Sequence, residues 1–145
     1  MLRLFICLVL PFLLQSYTYG KQSNTYFCFQ TAQANNILLL DSNYSTHARL
    51  MYFPYMKPIQ VRFMGNESVE LTEGRPLEFH DFYHEINKGK LSGKYEIIHQ
   101  GAQFYSIRYT HFQTGKITDF SRLYASSDLP QNTTQQLLEK GITCL

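Results

Sequence analysis

Alternation of apolar and polar residues constrains the fold of this chain more than any other feature of its sequence. Residues 59–63 and 105–109 place apolar side chains on one face and polar side chains on the other. This period of two is typical of a half-buried β-strand. Weaker alternation predicts further strands at 26–31, 37–40, 49–53, 69–71, 77–82, 95–98 and 117–123.

Short groups of turn-forming residues separate these segments. Strands that recur about every 8–12 residues between such turns predict an all-β domain, either an antiparallel barrel or a sandwich. Residues 94–123 predict a three-stranded meander with tight turns at Gln100-Gly101 and Thr114-Gly115. Other turns are expected at Ser42-Asn43, Pro54, Gly65-Asn66, Glu73-Gly74 and Asn87-Lys88-Gly89.

One short helix is predicted near the C-terminus, after a polar linker at 125–132. Thr133 is suited to cap its start, with Gln136 three residues further on, and Gly141 is suited to end it. A helix in this position would carry Cys144 back towards the start of the domain.

The first twenty residues have the pattern of an export signal. A single charge, Arg3, precedes an apolar run at 4–14, and small residues lead up to Gly20. A membrane span needs about 20 apolar residues, so the run is too short to cross a bilayer. The pattern predicts a cleavable signal peptide at 1–20 and one secreted or periplasmic domain at 21–145, without a membrane span.

Two cysteines, Cys28 and Cys144, remain in the predicted domain. Export places them in an oxidising compartment, so we expect one disulfide that ties the two ends of the domain together. The loss of Arg3 reduces 13 Lys and Arg residues to 12, against 11 Asp and Glu, which leaves a net charge of +1. This balance argues against nucleic acid or an anionic membrane surface as a partner.

Motifs for catalysis or cofactor binding are not found. His80 and His84 stand four residues apart, but in a strand this spacing separates them by about 13 Å, too far for one metal ion. We therefore expect solvent-facing histidines, no metal site, no cofactor and no enzymatic activity. Asn43, Asn66 and Asn132 begin glycosylation sequons, which matter only in a eukaryotic secretory pathway.

Aromatic residues are abundant, and most are expected in the core because Tyr and Phe pack well on pleated surfaces. Tyr44, Tyr55 and Tyr83, near predicted loops, are candidates for a binding face.

The segments Tyr26-Phe27-Cys28 and Ser92-Gly93-Lys94-Tyr95, together with Cys144, resemble the small periplasmic inhibitors of C-type lysozymes. The second segment is one residue shorter than the family's Ser-Gly-x-x-Tyr motif, and the chain has no tryptophan for the family's second loop. The resemblance implies a secreted β-barrel in which Ser92 and Lys94 lie in an inhibitory loop braced by Tyr95.

A non-enzymatic protein-binding role is therefore expected, as an inhibitor or immunity protein that acts on a secreted or envelope hydrolase or toxin. The binding loop is expected at 90–95 or 99–103, with Ser92, Lys94, Tyr95, His99 and Gln100 as candidate binding residues.

Three alternatives remain open. The first is a carrier with an apolar cavity of several hundred Å3. The second is an enzyme in which two or more of His80, His84, His99, Asp81 and Glu85 converge. The third is a structural subunit of a surface assembly with an exposed edge strand.

Overall fold

The computed structural model describes residues 24–33, 36–44, 47–124 and 128–145. The predicted signal peptide at 1–20 and its cleavage site lie outside the described residues, as does part of the predicted linker.

Nine antiparallel strands form the body of the domain, and a short helix and a two-residue strand follow them. The elements are β1 (Thr25–Gln30), β2 (Ile37–Asp41), β3 (Leu50–Phe53), β4 (Lys57–Ile59), β5 (Val61–Val69), β6 (Glu78–Asn87), β7 (Lys90–Gln100), β8 (Gln103–His111), β9 (Ile117–Arg122), α1 (Gln131–Glu139) and β10 (Thr143–Cys144).

The strands follow one another round a nearly closed barrel, so the predicted all-β class is confirmed and the barrel is the correct alternative. Their order is β4-β3-β2-β1-β9-β8-β7-β6-β5, and β1 pairs with β9 through Phe29↔Arg122 and Gln30↔Ser121. The Arg122 guanidinium also lies 4.5 Å from the centre of the Phe27 ring, across this same pair of strands. Only Gln60 separates β4 from β5, the two ends of the sheet, so the sheet curls back almost onto itself.

The meander predicted at 94–123 is confirmed as β7, β8 and β9, with turns where they were expected. The turn predicted at Gly65-Asn66 is wrong, because β5 runs straight through it. The pairing of β5 with β6 shifts register between Phe63 and Gly65, which is a β-bulge, and Gly65 has a φ of 137°. A glycine at a bulge can signal a bend within one strand as well as the end of a strand.

Two hydrophobic clusters lie on opposite faces of β1 and β2. Residues 37–40 of β2 are all buried, which a strand achieves only when both of its faces are covered. The barrel interior contains Phe29, Leu38, Leu40, Ala48, Leu50, Tyr83, Tyr95, Ile97, Phe104, Ile107 and Phe120. The outer cluster, under the helix, contains Tyr26, Cys28, Ile37, Leu39, Phe53, Leu123, Leu129, Leu137 and Ile142.

The C-terminal helix is confirmed, but its predicted start is wrong. It begins two residues before Thr133, and Pro130 is its N-cap without a side-chain hydrogen bond. Proline suits this place because its fixed φ and missing N–H cost little at a helix start. Gly141 ends the helix as predicted, with a φ of 65° and hydrogen bonds from Gly141 and Ile142 N–H groups back to Leu138 and Leu137.

The predicted disulfide between Cys28 and Cys144 is confirmed, with the two Cα atoms 5.5 Å apart. β10 lies parallel to β1 and pairs Cys144 with Tyr26, which brings the end of the chain to the first strand. A disulfide is consistent with a protein of an extracytoplasmic compartment. In the described part of the chain, no helix has the length and apolar character needed to cross a membrane.

Candidate functional site

One end of the barrel opens into a cavity of about 440 Å3. Its lining consists of Phe27, Ser42, Tyr44, Phe63, Asn66, Phe79, Asp81, His99, Gly101, Ala102 and Phe104. We call this the Asp81 cavity. Its size and mainly apolar lining, with a few polar groups, are typical of small-molecule sites.

Phenylalanines from four different strands form the apolar wall of the Asp81 cavity. Phe27 and Phe104 lie with ring centres 4.5 Å apart, on β1 and β8. Phe63 belongs to the bulged part of β5 and Phe79 to the start of β6. Because these strands are distant in sequence, only closure of the barrel brings the four rings together.

Asp81 lies at the floor of the cavity, and only 8% of the residue is exposed. Its Oδ2 atom accepts a hydrogen bond from the Tyr44 hydroxyl and lies 3.1 Å from His99 Nε2. The Tyr44 oxygen is also 3.0 Å from the Tyr83 hydroxyl. Burial, together with the hydrogen bond to Asp81, raises the pKa of Tyr44, so its hydroxyl remains a donor at any physiological pH.

His99 contacts an oxygen atom through each of its ring nitrogens. Nδ1 lies 2.9 Å from the carbonyl oxygen of Gly101, which can only accept, so Nδ1 carries a proton. Nε2 faces Asp81 Oδ2 at 3.1 Å, so both ring nitrogens are occupied by oxygen atoms of the protein. Phe79 and Phe104 stack on the His99 ring, at centre-to-centre distances of 5.6 and 5.1 Å.

Both ring nitrogens of His99 are already hydrogen-bonded to the protein. Asp81 and His99 do converge, as the enzyme alternative requires, whereas His80 and His84 lie on the outer face of β6. Among the described residues, no group of three or more His, Cys, Asp or Glu side chains is placed to hold a metal ion.

Glu85 lies at the opposite end of the interior. It accepts hydrogen bonds from Tyr109 at 2.5 Å and from Ser92 at 2.9 Å. Gly93 lies beside this group, and a Cβ atom there would come within 2.5 Å of the Tyr109 ring. The absence of a side chain at Gly93 is therefore required for the close approach of Tyr109. This packing explains why a glycine follows Ser92 in a segment that is strand and not a loop.

The segment at 90–95, expected to be a binding loop, is instead strand within β7, so this expectation is wrong. Tyr95 is fully buried in the barrel, and Ser92 is held by Glu85. Lys94 lies on the outer face, with its ammonium group 4.9 Å from the centre of the Phe82 ring. The alternation of β7 explains the result, because a strand sends successive side chains to opposite faces.

The remaining candidates, His99 and Gln100, lie at the turn between β7 and β8. His99 lines the Asp81 cavity, whereas Gln100 is bonded to the Tyr105 hydroxyl and to the Pro76 carbonyl oxygen. Thus the structure brings only His99 of the five candidates into the cavity. The sequons begin at exposed asparagines, Asn43, Asn66 and Asn132, and Asn66 also lines the cavity.

Sequence reasoning missed the four phenylalanines of the cavity wall. Tyr44 was a candidate for a binding face, and Asp81 was named only within the enzyme alternative. One signal was available for Asp81: within β6 it alternates in phase with Tyr83, so a core-facing Tyr83 implies a core-facing carboxylate. Charged residues are rarely buried without a partner, and this makes such a position a candidate site.

His80 and His84 lie on the outer face of a strand, as their spacing indicated, but they are only partly exposed. His84 packs edge-on against Phe112. His80 Nδ1 lies 2.7 Å from Glu96 Oε1, and His80 Nε2 lies 2.9 Å from Glu78 Oε1. Burial opposes the charged form of His80, but the hydrogen bonds with Glu96 and Glu78 outweigh it and raise its pKa.

This shift predicts a pH-dependent stability. Because the folded protein binds the His80 proton more tightly than the unfolded chain does, the contribution is complete below the unfolded pKa of about 6.5. It is lost as the pH rises through the raised pKa of the folded state. Urea unfolding between pH 5.5 and 8.5 should show this decline, and His80→Gln should flatten it, whereas His84→Gln should not. An identical decline in His80→Gln would contradict the assignment.

Comparisons of the chain with protein-family models, with curated proteins and with solved structures give no match. The geometry of the barrel and its cavities is therefore the basis for the function proposed below.

Proposed function

We propose that this protein is a carrier that holds a small, neutral, mainly apolar molecule in the Asp81 cavity. The observation behind the proposal is the phenylalanine-lined cavity of about 440 Å3 at the end of the barrel. Ligand sites of carriers are typically preformed, concave and apolar, with a few polar groups that orient the ligand. Barrels of this size can hold one small ligand at their mouth.

The polar floor of the cavity indicates the charge of the ligand. Asp81 is already paired with His99 and with the Tyr44 hydroxyl, so the floor does not require a charged group on the ligand. Both hydrogen bonds described for Asp81 end on Oδ2, which leaves Oδ1 as an acceptor for a hydroxyl or amine N–H of the ligand. An aromatic or polycyclic molecule with one such donor fits this combination best.

The protein-binding role was expected to use a loop at 90–95 or 99–103. Residues 90–95 are strand with Tyr95 buried, and the short turn within 99–103 lines the Asp81 cavity. The carrier proposal rests on a cavity that a ligand can enter directly, and for this reason we prefer it.

A fluorescence titration with N-phenyl-1-naphthylamine, a neutral aromatic amine, tests the carrier proposal. We expect saturable binding of one molecule per chain in the micromolar range. Ala102 is exposed at the rim of the cavity, so Ala102→Trp should obstruct the entrance without altering the core, and should weaken binding at least tenfold. Gln136→Trp, on the exposed side of the helix, is the matched control and should bind like the parent protein.

Two results would overturn the carrier proposal. One is the absence of saturable binding, and the other is binding that Ala102→Trp leaves unchanged. If binding is saturable and Ala102→Trp weakens it, mass spectrometry of organic extracts of the protein purified from its natural source would identify the molecule that it carries.

A further inference from the structure

We infer that the opposite end of the barrel is a second binding site, one that takes a small aromatic molecule with a single negative charge. A cavity of about 470 Å3 opens there. We call it the Lys116 cavity. Its wall includes Tyr52, Tyr55, Tyr109 and Phe120, and its basic members are Lys116 and His111.

The two cavities are separate. Phe104 in the first and His111 in the second lie seven residues apart on β8, a distance of about 23 Å along a strand. Buried side chains of the barrel core, among them Tyr95 and Ile107, occupy the space between them. A ligand in one cavity therefore leaves the other accessible.

Lys116 provides the positive charge of the second site. Its side chain is exposed, and it has no ion-pair partner among the residues that the structure describes. The described residues lining the cavity include no carboxylate. The Glu85 carboxylate lies behind Tyr109 and is bonded to it, so it faces the interior. An ammonium group without a partner beside aromatic rings favours an anion attached to an aromatic body.

His111 adds a hydrogen-bond donor. The backbone N–H of Thr114 points at His111 Nδ1 from 3.3 Å, and because an amide can only donate, Nδ1 is an acceptor. The Thr114 hydroxyl lies 3.1 Å from the same nitrogen. Nε2 is therefore the ring nitrogen that can donate to the anionic group of a ligand.

Two of the three tyrosine hydroxyls of the Lys116 cavity are engaged in the barrel interior, and the third tyrosine, Tyr55, is exposed. The Tyr52 hydroxyl lies 3.2 Å from that of Tyr95, and the Tyr109 hydroxyl donates to Glu85. Tyr52 and Tyr109 consequently present their rings to the cavity, and Lys116 and His111 are among its polar groups. The Asp81 cavity, which contains a carboxylate and no lysine, has the opposite character.

Titration with 8-anilino-1-naphthalenesulfonate tests this inference, because the dye has the ring system of N-phenyl-1-naphthylamine with a sulfonate added. The experiment uses the Ala102→Trp protein, in which the Asp81 cavity is obstructed. We expect saturable binding, and we expect Lys116→Gln to weaken it about two- to fivefold, the effect of losing one exposed charge. Lys140→Gln removes an exposed lysine at the end of the helix and should leave the dye affinity unchanged.

The result that overturns the inference is dye binding that Lys116→Gln leaves unchanged, or no saturable dye binding at all. An equal loss in Lys140→Gln would overturn it too, since the effect would then be one of net charge. The neutral amine N-phenyl-1-naphthylamine should bind the parent protein and its Lys116→Gln variant with the same affinity. If the neutral amine fails to bind while the dye still binds and depends on Lys116, the carrier proposal falls and the second site stands.

Discussion

Replacing both Cys28 and Cys144 by alanine is expected to lower the free energy of unfolding by about 4 kcal/mol. The disulfide spans 116 residues, almost the whole described domain, so its loss restores a large amount of conformational freedom to the unfolded chain. Cys28 is also fully buried in the cluster under the helix. Urea unfolding of the oxidised parent protein and of the double variant measures this difference.

Reduction of the parent protein provides the control for the double variant. Dithiothreitol should destabilise the parent by a similar amount and leave the double variant unchanged. A loss below about 1 kcal/mol would mean that the strand pairing of β10 with β1 already holds the chain end in place without the disulfide.

Asp81→Ala is expected to cost about 3 kcal/mol of stability, the second largest effect. Removal of one member of a buried pair leaves the other without its partner, and here both His99 Nε2 and the Tyr44 hydroxyl lose their acceptor. The variant should also lose affinity for N-phenyl-1-naphthylamine, because the polar floor of the cavity is gone. Denaturation and dye titration on the same samples separate the two effects.

Asp119→Ala is the matched control, since Asp119 forms an exposed ion pair with Arg108 at 2.8 Å on the outer surface. Exposed pairs contribute little, so its loss should be about 0.5 kcal/mol or less. Asp81→Asn keeps an acceptor for Tyr44, so its loss of stability should lie between those of Asp81→Ala and Asp119→Ala. Equal losses for Asp81→Ala and Asp119→Ala would show that burial does not strengthen the Asp81 interactions.

The sequence was sufficient to predict most of the strands, because alternation of apolar and polar residues within a segment indicates by itself a strand with one buried face. Residues 105–109 and 117–123 were placed correctly from this pattern alone. The break predicted at Gly65-Asn66 failed because a glycine can signal a bulge as well as a turn. Which of the two forms depends on the partner strand, here β6, and local sequence carries no information on that.

The candidate site was harder to predict than the fold. A resemblance at Ser92-Gly93-Lys94-Tyr95 directed attention to a loop, but the glycine there makes room for the Tyr109 ring inside the barrel. His99 was identified, although in a different role. Its partner Asp81 lies 18 residues away, and the two meet because the pairing of β6 with β7 aligns them at one end of the barrel.

By itself, the sequence determined the strand-rich architecture, the C-terminal helix and the Cys28–Cys144 pairing. Periodicity, turn residues and a cysteine count of two are local or combinatorial signals that need no knowledge of which strands are neighbours. Only the tertiary structure decided between barrel and sandwich, and only it created the Asp81 and Lys116 cavities. Both cavities are assembled from strands far apart in sequence, and their chemistry exists only once the sheet has curled round and placed those side chains at its two ends.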